Sequence, residues 1–458
     1  MTETATAATT PSGPLSLRER VGVRAYNPEG PAYVQYQYGY PHKTSYRIFP
    51  EAKTLESVWS QENQRALSLY LHIPFCEMRC GFCNLFTVAG PLEPVMERFI
   101  NTLEREASVV RSALPKAQFA RVTVGGGTPS LLPPRLLARA LDVLEKTMGA
   151  PLQDVPFCVE VSPETLTQEK AKLLVDRGVD RISVGVQSFL ESETKSLARP
   201  QERKIVDAAL DTLRGTGVET LNLDLIYGIE GQTHASLLES INTALKWKPE
   251  EIYLYPLYVR PKTFLGKSTR AWDDFRLELY RVGRDALFAA GYRQISMRCF
   301  RASHAPAPFG PAYRCQDDGM VGLGVGARSY TNSMHYSSEW AVTPKAVRGI
   351  IDAYCERDDA SFAHVHHGIT LDEAEQRRRH LILSLLADGL DAKIYSEKFS
   401  RDAAADFPEL SELVELGMAR FADGAWVLTP RGVELSDSIG PWLQSSKVTS
   451  MMKEYEVR

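Results

Sequence analysis

The stretch Tyr70-Leu71-His72-Ile73-Pro74-Phe75-Cys76-Glu77-Met78-Arg79-Cys80-Gly81-Phe82-Cys83 places three of the seven cysteines of the chain within eight positions. The apolar run at 67–73 is typical of a buried strand, and Pro74 ends it, so we expect the cysteines on the loop that follows. Closely spaced thiolates on a loop indicate a soft-metal site. Asn84-Leu85-Phe86 follows without a fourth cysteine. Three thiolates would hold three irons of a four-iron cluster and leave the fourth iron open to a ligand.

Structural zinc and simple core packing are the two plainer interpretations of these cysteines. A structural zinc site usually shows a second cysteine pair or a histidine pair further along the chain. The only adjacent histidines, His366 and His367, lie far from the cysteines, near the C-terminus. We therefore favour the iron–sulfur interpretation.

The composition is that of an ordinary globular protein, with 458 residues, 44% hydrophobic, 24% charged and a net charge of −4. This balance gives no reason to expect nucleic acid or a membrane surface as a partner, and no apolar run reaches the length of a membrane span. Residues 1–15, rich in Thr, Ala, Ser and Pro, predict a disordered tail without the features of a signal peptide. An odd number of cysteines, three of them clustered, indicates the reducing cytoplasm.

Apolar strands alternate with helix-length amphipathic stretches from residue 67 onward. The predicted strands are 67–73, 119–124, 156–162, 181–186, 219–226 and 251–257, and the predicted helices are 91–112, 132–148, 165–176, 201–215 and 233–246. A seventh pair, helix 272–290 and strand 293–297, follows. Such alternation predicts an α/β protein in which right-handed crossovers curl a parallel sheet into a full or partial (β/α) TIM-type barrel. Chemistry in such barrels lies at the carboxyl ends of the strands, where the cysteine loop also falls.

Several other strand ends carry residues that suit a ligand. Gly126, Gly127 and Thr128 follow the second strand, and glycines let a backbone approach a ligand and expose its N–H groups. Glu160 interrupts the apolar third strand and needs a positive or hydrogen-bonding partner. Gln187 ends the fourth strand and Asp224 lies in the fifth, so we expect these side chains on one face.

The chain divides into five predicted regions. Residues 1–15 are the tail, 16–62 an aromatic segment that packs on the barrel, 63–300 the barrel, 301–365 a capping or linker region, and 366–458 a mostly helical, winged-helix-like domain. In the last region we expect helices at 371–387, 407–417 and 430–444 and short strands at 418–421 and 425–429. The segment 298–342 is rich in Pro and Gly, which predicts an irregular cap.

The cysteine loop resembles the signature of radical S-adenosylmethionine enzymes. More narrowly, Tyr70 to Cys76 looks like the oxygen-independent coproporphyrinogen oxidase family. Further matching segments are Gly125-Gly126-Gly127-Thr128-Pro129-Ser130, Gly185-Val186-Gln187-Ser188-Phe189, Asn222 to Gly228, Gly322 to Ser329 and Leu428-Thr429-Pro430-Arg431-Gly432. The resemblance covers roughly residues 65–440.

The resemblance implies a [4Fe–4S] cluster held by Cys76, Cys80 and Cys83, and S-adenosylmethionine cleaved at the open iron to a 5′-deoxyadenosyl radical. It implies that the methionine part of this cofactor lies against Gly126, Gly127 and Thr128. Its polar groups would meet Glu160, Gln187, Arg199 and Asp224. Tyr70 would lie beside the cluster, and Gln316 and Arg328 near a second S-adenosylmethionine, which makes these three the candidate catalytic residues.

Two departures from the family pattern bear on the reaction. Leu85 stands where coproporphyrinogen oxidases carry a fourth cysteine, and Tyr313-Arg314-Cys315-Gln316 stands where heme chaperones carry a different motif. By elimination, our first hypothesis is methyl or methylene transfer to an sp2 carbon of a small molecule or peptide, as in the class C methyltransferases of the family. Oxidative decarboxylation of coproporphyrinogen III and heme trafficking by a heme chaperone are the alternatives. The resemblance further implies an electron donor such as flavodoxin or ferredoxin, and we expect a monomer.

Overall fold

A computed structural model describes residues 25–267, 274–307 and 314–456 of the chain. The predicted tail at 1–15, the start of the segment 16–62 and Tyr313 lie outside the described residues.

The strands are numbered in chain order. They are β1 (Arg47–Thr54), β2 (Leu67–Ile73), β3 (Phe75–Cys76), β4 (Val88–Ala89), β5 (Phe119–Gly126), β6 (Phe157–Val161), β7 (Arg181–Gln187), β8 (Thr220–Tyr227), β9 (Glu251–Pro256), β10 (Tyr292–Gln294), β11 (Cys299–Ala302), β12 (Met320–Leu323), β13 (Arg328–Tyr330), β14 (Met334–Ser337), β15 (His364–Thr370), β16 (Leu390–Asp391), β17 (Ala419–Ala422) and β18 (Ala425–Leu428).

The α-helices connect and cover these strands. They span Leu55–Trp59, Glu93–Ala113, Pro134–Asp142, Gln168–Asp176, Glu191–Ser196, Arg203–Thr216, His234–Ala244, Arg276–Ala289, Cys315–Asp318, Pro344–Glu356, Asp359–Phe362, Glu373–Leu385, Ala392–Phe399, Ala403–Asp406, Glu409–Glu415, Pro430–Glu434, Ser436–Trp442 and Ser446–Lys453. Short 3₁₀ turns lie at Lys43–Ser45, Pro129–Leu131, Pro163–Thr165, Leu245–Trp247 and Leu265–Lys267, and a π-helical turn at Val143–Thr147. None of the helices in the described ranges is long and apolar enough to cross a membrane.

One large sheet organises the chain, with the strand order β1-β15-β14-β13-β12-β2-β5-β6-β7-β8-β9-β11-β10. The strands from β12 through β2 and β5 to β9 run parallel. The outer strands are antiparallel, and β1 and β10 are the two ends of the order. The sheet is therefore a partial barrel, and the predicted α/β fold class is confirmed.

The parallel strands β6, β7 and β8 have one apolar face and one polar face. Val159, Ile182 and Leu223 are fully buried on the face that the helices cover. Successive side chains of a strand alternate between faces, so Glu160 and Asp224 lie on the opposite face, toward the interior of the barrel. On the helical layer, the ring of Phe99 packs edge-on at 5.3 Å from that of Phe75. The polar interior is what makes room for a site.

The six predicted parallel strands are present, and the seventh helix–strand pair differs. Helix Arg276–Ala289 forms, but β10 and β11 make an antiparallel hairpin, and β11 pairs antiparallel with β9. The connection from β10 to β11 is only Ile295 to Arg298, too short for the crossover that a parallel pair requires.

The segment predicted as an irregular cap also differs from expectation. Within 301–365 the chain contributes β12 to the parallel sheet and β13 and β14 to its antiparallel extension, which ends at β15 and β1. These strands are only three or four residues long, too short to display the apolar alternation that would have identified them.

A second compact unit consists of residues 25–37 together with 384–443. It is mostly helical and carries a three-stranded antiparallel sheet in the order β16-β18-β17. The predicted strands and the helix near 407–417 are present. The predicted helix 430–444 is instead two helices, Pro430–Glu434 and Ser436–Trp442, which meet at Leu435.

Candidate active site

The cysteine loop begins where β2 ends. Phe75 and Cys76 form the short strand β3, which pairs with Val88 and Ala89 and so closes the loop on itself. Within it, Cys83 N donates to the Cys80 carbonyl at 3.1 Å. All three cysteines are free thiols with partly accessible side chains.

Each of the three sulfurs has a polar side chain near it. Arg199 Nη1 lies 3.1 Å from Cys80 Sγ. The Thr128 hydroxyl acts to lower the pKa of Cys76, and the Thr87 hydroxyl acts to lower that of Cys83. Burial, with the neighbouring cysteines, raises the pKa of Cys76 to about 12 in the metal-free chain. Donors of this kind stabilise a thiolate once a metal replaces the proton.

The donor set fits an iron–sulfur cluster better than a single ion. Within residues 25–267, 274–307 and 314–456, no three His, Cys, Asp or Glu side chains are arranged to hold one metal ion. Structural zinc requires four protein ligands. Three thiolates on one loop, each with a polar donor, instead match the ligands of a cluster with one open iron.

The glycine-rich turn packs under the cysteine loop. Gly127 N donates to Ile73 O and Thr128 N donates to Phe75 O, both at 2.7 Å, and a side chain at Gly127 would overlap the Phe75 carbonyl. Gly126 has φ +111°, a conformation that favours glycine. Its N–H donates to Glu160 Oε2 at 3.2 Å. The N–H groups expected to face a ligand are therefore used inside the protein.

Glu160 obtains the hydrogen-bonding partner that the sequence demanded. The bond from Gly126 N fixes its carboxylate, and Gly125 leaves room for it, since a Cβ there would come within 2.8 Å of Oε2. The side chain is accessible within the interior of the barrel and surrounded by protein. Desolvation, with the nearby Asp224 charge, raises the pKa of Glu160 to about 7.

Asp224 lies on the same interior face in a hydrogen-bonded cluster. Asn222 Nδ2 donates to Asp224 Oδ1 at 2.8 Å and Ser183 Oγ donates to Oδ2 at 3.1 Å. Burial raises the pKa of Asp224 to about 6 in spite of these bonds. The buried Asn222 Oδ1 has no donor. Two carboxylates with raised pKa values and an unpaired amide oxygen form a surface that favours a cationic or hydroxyl-bearing ligand.

Arg199 links this surface to the cysteines. Its Nη2 donates to the Gly185 carbonyl at 2.9 Å while Nη1 contacts Cys80, and its buried Nε has no partner. Gln187, at φ +68°, turns its amide over Gly185, because a Cβ on that glycine would come within 2.9 Å of Gln187 Nε2. Arg199 and Gln187 thus lie side by side at the end of β7.

Tyr70 is oriented by a short hydrogen-bond relay. His72 Nε2 lies 2.9 Å from the Phe86 carbonyl and Nδ1 lies 3.0 Å from Tyr70 Oη. A carbonyl can only accept, so Nε2 carries the proton and Nδ1 accepts from the tyrosine hydroxyl. Burial lowers the pKa of His72 to about 4, which keeps the ring neutral. The free lone pairs of the Tyr70 oxygen are left for a ligand.

A cavity of about 220 Å³ collects part of the predicted site. Its walls include Tyr70, Gly126, Glu160 and Arg328. Leu85 and Phe86, which follow the last cysteine, also line it, so the cavity adjoins the cysteine loop. These four predicted residues, distant in sequence, therefore share one space.

Gln316 is not part of this cavity wall. Its side chain is buried, and Oε1 accepts a hydrogen bond from Tyr40 N at 2.8 Å. The amide Nε2 packs against Gly39. Gln316 therefore holds the segment around Tyr40 in place, and its catalytic role stays a prediction.

Two residues of the site, His72 and Trp340, escaped the sequence analysis as site residues. His72 orients Tyr70 and Trp340 lines the cavity, as does Lys43, which an alternative interpretation of segment 16–62 named as a candidate substrate contact. His72 could have been suspected as a polar residue in a buried strand, next to the cysteines. Lys43 and Trp340 lie outside the barrel strands, so strand periodicity gives no signal for them.

Two protein-family models match parts of the chain. Residues 70–244 match the model of the radical SAM superfamily, and residues 371–435 match that of the HemN C-terminal domain. The first match contains the cysteines, the glycine-rich turn, Glu160 and Asp224.

Curated relatives and a solved structure cover most of the chain. The heme chaperone HemW of Bacillus subtilis is 29% identical over 380 residues, 81% of this chain and 97% of that protein. The oxygen-independent coproporphyrinogen III oxidase of Paracoccus denitrificans is 27% identical over 402 residues, 82% of this chain and 85% of that protein. The crystal structure of coproporphyrinogen III oxidase (HemN) from Escherichia coli superposes with a TM-score of 0.77 at 22% identity, covering 90% of this chain and 97% of that one, and shows the fold to be shared. The chain belongs to the radical SAM superfamily, in the family that contains the oxygen-independent coproporphyrinogen III oxidases and the heme chaperone HemW.

Proposed function

We propose that this protein is a radical SAM enzyme that oxidatively decarboxylates a coproporphyrinogen-type tetrapyrrole. Membership of the superfamily implies a [4Fe–4S] cluster and S-adenosylmethionine, which together supply a carbon radical able to abstract a hydrogen atom from the substrate. The substrate class is taken from the curated relatives. The observation that carries the proposal is the cavity beside the cysteine loop, where Tyr70, Gly126 and Glu160 meet.

The residues of the chain divide the work of holding these groups. Cys76, Cys80 and Cys83 would ligate the cluster, and Arg199, 3.1 Å from Cys80 Sγ, would place a positive charge beside it. Glu160 and Asp224 would accept hydrogen bonds from the cationic and hydroxyl groups of S-adenosylmethionine. These assignments follow from the donors and acceptors that each residue leaves unpaired.

Tyr70 would orient a ligand rather than exchange a proton with it. Burial, with the Glu160 charge nearby, raises the pKa of Tyr70 far above its ordinary value, so the phenol stays protonated. Its single proton is directed at His72, and its oxygen can accept a further hydrogen bond from a bound group.

Anaerobic turnover tests the proposal. The reconstituted protein is incubated with dithionite, S-adenosylmethionine, coproporphyrinogen III and an electron acceptor, and the products are oxidised and separated by chromatography. We expect decarboxylated porphyrin together with 5′-deoxyadenosine. Formation of 5′-deoxyadenosine without any decarboxylated porphyrin would contradict this substrate.

A heme chaperone is the second candidate. It is favoured by the relation to HemW of Bacillus subtilis, which this chain spans over 97% of its length. Stoichiometric heme binding that persists through gel filtration, without cleavage of S-adenosylmethionine, would favour the chaperone over the oxidase.

Methyl transfer, the first hypothesis from the sequence, has less support. The two curated relatives are named as a heme chaperone and an oxidase, and neither name includes methyl transfer. It requires a second S-adenosylmethionine as the methyl donor. Formation of S-adenosylhomocysteine in the turnover assay would favour methyl transfer.

A protein electron donor, such as flavodoxin or ferredoxin, would replace dithionite in the cell.

A further inference from the structure

Lys43 reaches the cavity from a part of the chain far from the barrel strands. It begins the 3₁₀ turn Lys43–Ser45, and its Nζ lies 3.9 Å from the centroid of the Trp340 ring. Both residues line the 220 Å³ cavity. The ring face holds the ammonium group in place without neutralising its charge.

Arg328 supplies a second cation to the same cavity. Its Nη1 donates to Tyr38 Oη at 3.0 Å, and its guanidinium carbon lies 4.9 Å from the Tyr38 ring centroid. A tyrosine hydroxyl and ring orient the guanidinium and, like Trp340 beside Lys43, leave its charge uncompensated. Each cation is thus positioned by an aromatic side chain.

Neither cation has a carboxylate partner. Among the described residues, neither Lys43 nor Arg328 forms an ion pair with an Asp or Glu, and each contacts an aromatic ring instead. The buried Trp340 Nε1 also has no hydrogen-bond acceptor. Burial, with Arg328 nearby, lowers the pKa of Lys43 well below its ordinary value, and an anion bound beside Lys43 would raise that pKa and favour the ammonium form.

Three hydrogen-bond donors that line the cavity and have no carboxylate partner in the described part of the chain define the missing ligand. Lys43, Arg328 and Trp340 offer only N–H groups, and a group with several anionic oxygens would satisfy them. The cavity, of about 220 Å³, has room for one carboxylate-bearing side chain.

We propose that Lys43 and Arg328 bind a carboxylate group of the substrate and so anchor it beside the cysteine loop. This inference rests on the proposed function for the identity of the substrate. It names two positioning residues, Lys43 and Arg328, both of which lie outside the two matched family regions. A charge-assisted hydrogen bond to either residue would raise affinity about ten- to a hundredfold.

Binding of coproporphyrin III, the stable oxidised tetracarboxylate, tests the proposal in the cluster-reconstituted full chain. Fluorescence titrations compare this probe with its tetramethyl ester, which has no anionic oxygens. We expect the wild-type protein to prefer the acid. Lys43→Met and Arg328→Met should each weaken binding of the acid about ten- to a hundredfold and leave the ester unchanged. Lys43→Arg should retain most of the affinity.

The matched control is Lys116→Met, which removes an exposed lysine by the same substitution and should bind the acid like the wild type. Unchanged binding of the acid by both variants would overturn the carboxylate site, even if the wild-type enzyme decarboxylates its substrate. Loss of S-adenosylmethionine binding in Lys43→Met, with unchanged binding of the porphyrin, would assign the cations to the cofactor carboxylate and also overturn the proposal. Selective loss of acid binding would support the site even if no decarboxylated product forms.

Discussion

Replacing Glu160 by Gln removes one negative charge from the interior of the barrel and keeps the shape of the side chain. The amide oxygen of Gln can still accept the hydrogen bond from Gly126 N, now 3.2 Å from Oε2. The variant should therefore fold normally. If Glu160 binds a cationic part of S-adenosylmethionine, the hydrogen bond between this side chain and S-adenosylmethionine is no longer made by a charged acceptor in the variant.

The size of the effect follows from the position of the carboxylate. A hydrogen bond to a charged group contributes about 1.5–3 kcal/mol, and the accessibility of Glu160 within the barrel favours the lower end. We expect the Kd for S-adenosylmethionine to rise about tenfold at pH 8.

The pH dependence gives a second, independent signature. Because the pKa of Glu160 is raised to about 7, the carboxylate is mostly neutral at pH 6 and mostly ionised at pH 8. Binding of a cation favours the ionised form, so wild-type affinity should rise about tenfold across this interval. Glu160→Gln should lose most of this slope.

Isothermal titration calorimetry on the reconstituted protein under anaerobic conditions measures both effects. Glu51→Gln, the same substitution at an exposed position of β1, is the matched control and should behave like the wild type. A wild-type affinity that is flat between pH 6 and 8, or a variant that keeps the full slope, would refute the assignment of Glu160.

The remaining predictions concern stability and the cluster. In the metal-free protein the pKa of Glu160 is higher in the folded state than in the unfolded state. The contribution of Glu160 to stability is therefore complete at low pH and disappears as the pH rises through about 7. The free energy of unfolding of Glu160→Gln, measured by urea denaturation, should show less of this decline. Gly127→Ala should destabilise the fold, because the added methyl overlaps the Phe75 carbonyl, and an unchanged urea midpoint would contradict the packing described. Phe99→Ala should lower the free energy of unfolding by about 3–5 kcal/mol, as measured in the same assay. Arg199→Met removes a positive charge beside Cys80 and should make the reduction potential of the cluster more negative in an EPR-monitored titration, whereas Arg199→Lys should not.

The parallel half of the fold could be predicted because its strands are long and nearly continuously buried. Leu67–Ile73 and Thr220–Tyr227 have few exposed positions, and amphipathic helices separate such strands clearly in sequence. The antiparallel extension could not be predicted in this way. Arg328–Tyr330 has only three residues, too few to display an alternation.

The residues of the site could be predicted where the residue type is chemically unusual for its position in the sequence. Three cysteines on a loop and Glu160 within an apolar strand are unusual in any buried setting. Glu160 lines the cavity that adjoins the cysteine loop. The remaining features of the site depend on tertiary packing and could not be predicted. The N–H groups of Gly126 and Gly127 were expected to face a ligand, but the neighbouring strand ends consume them. Trp340 reaches the cavity only through tertiary structure, which leaves no local pattern.

The most direct test of the account asks whether the three loop cysteines alone hold the cluster that cleaves S-adenosylmethionine. Iron and sulfide content and dithionite-dependent formation of 5′-deoxyadenosine are measured after anaerobic reconstitution. The account predicts one [4Fe–4S] cluster per chain and cleavage in the wild type, both lost in Cys80→Ala. Both should be retained in Cys355→Ala, which changes a cysteine on helix Pro344–Glu356. Full iron content and cleavage in Cys80→Ala, or loss of both in Cys355→Ala, would contradict it.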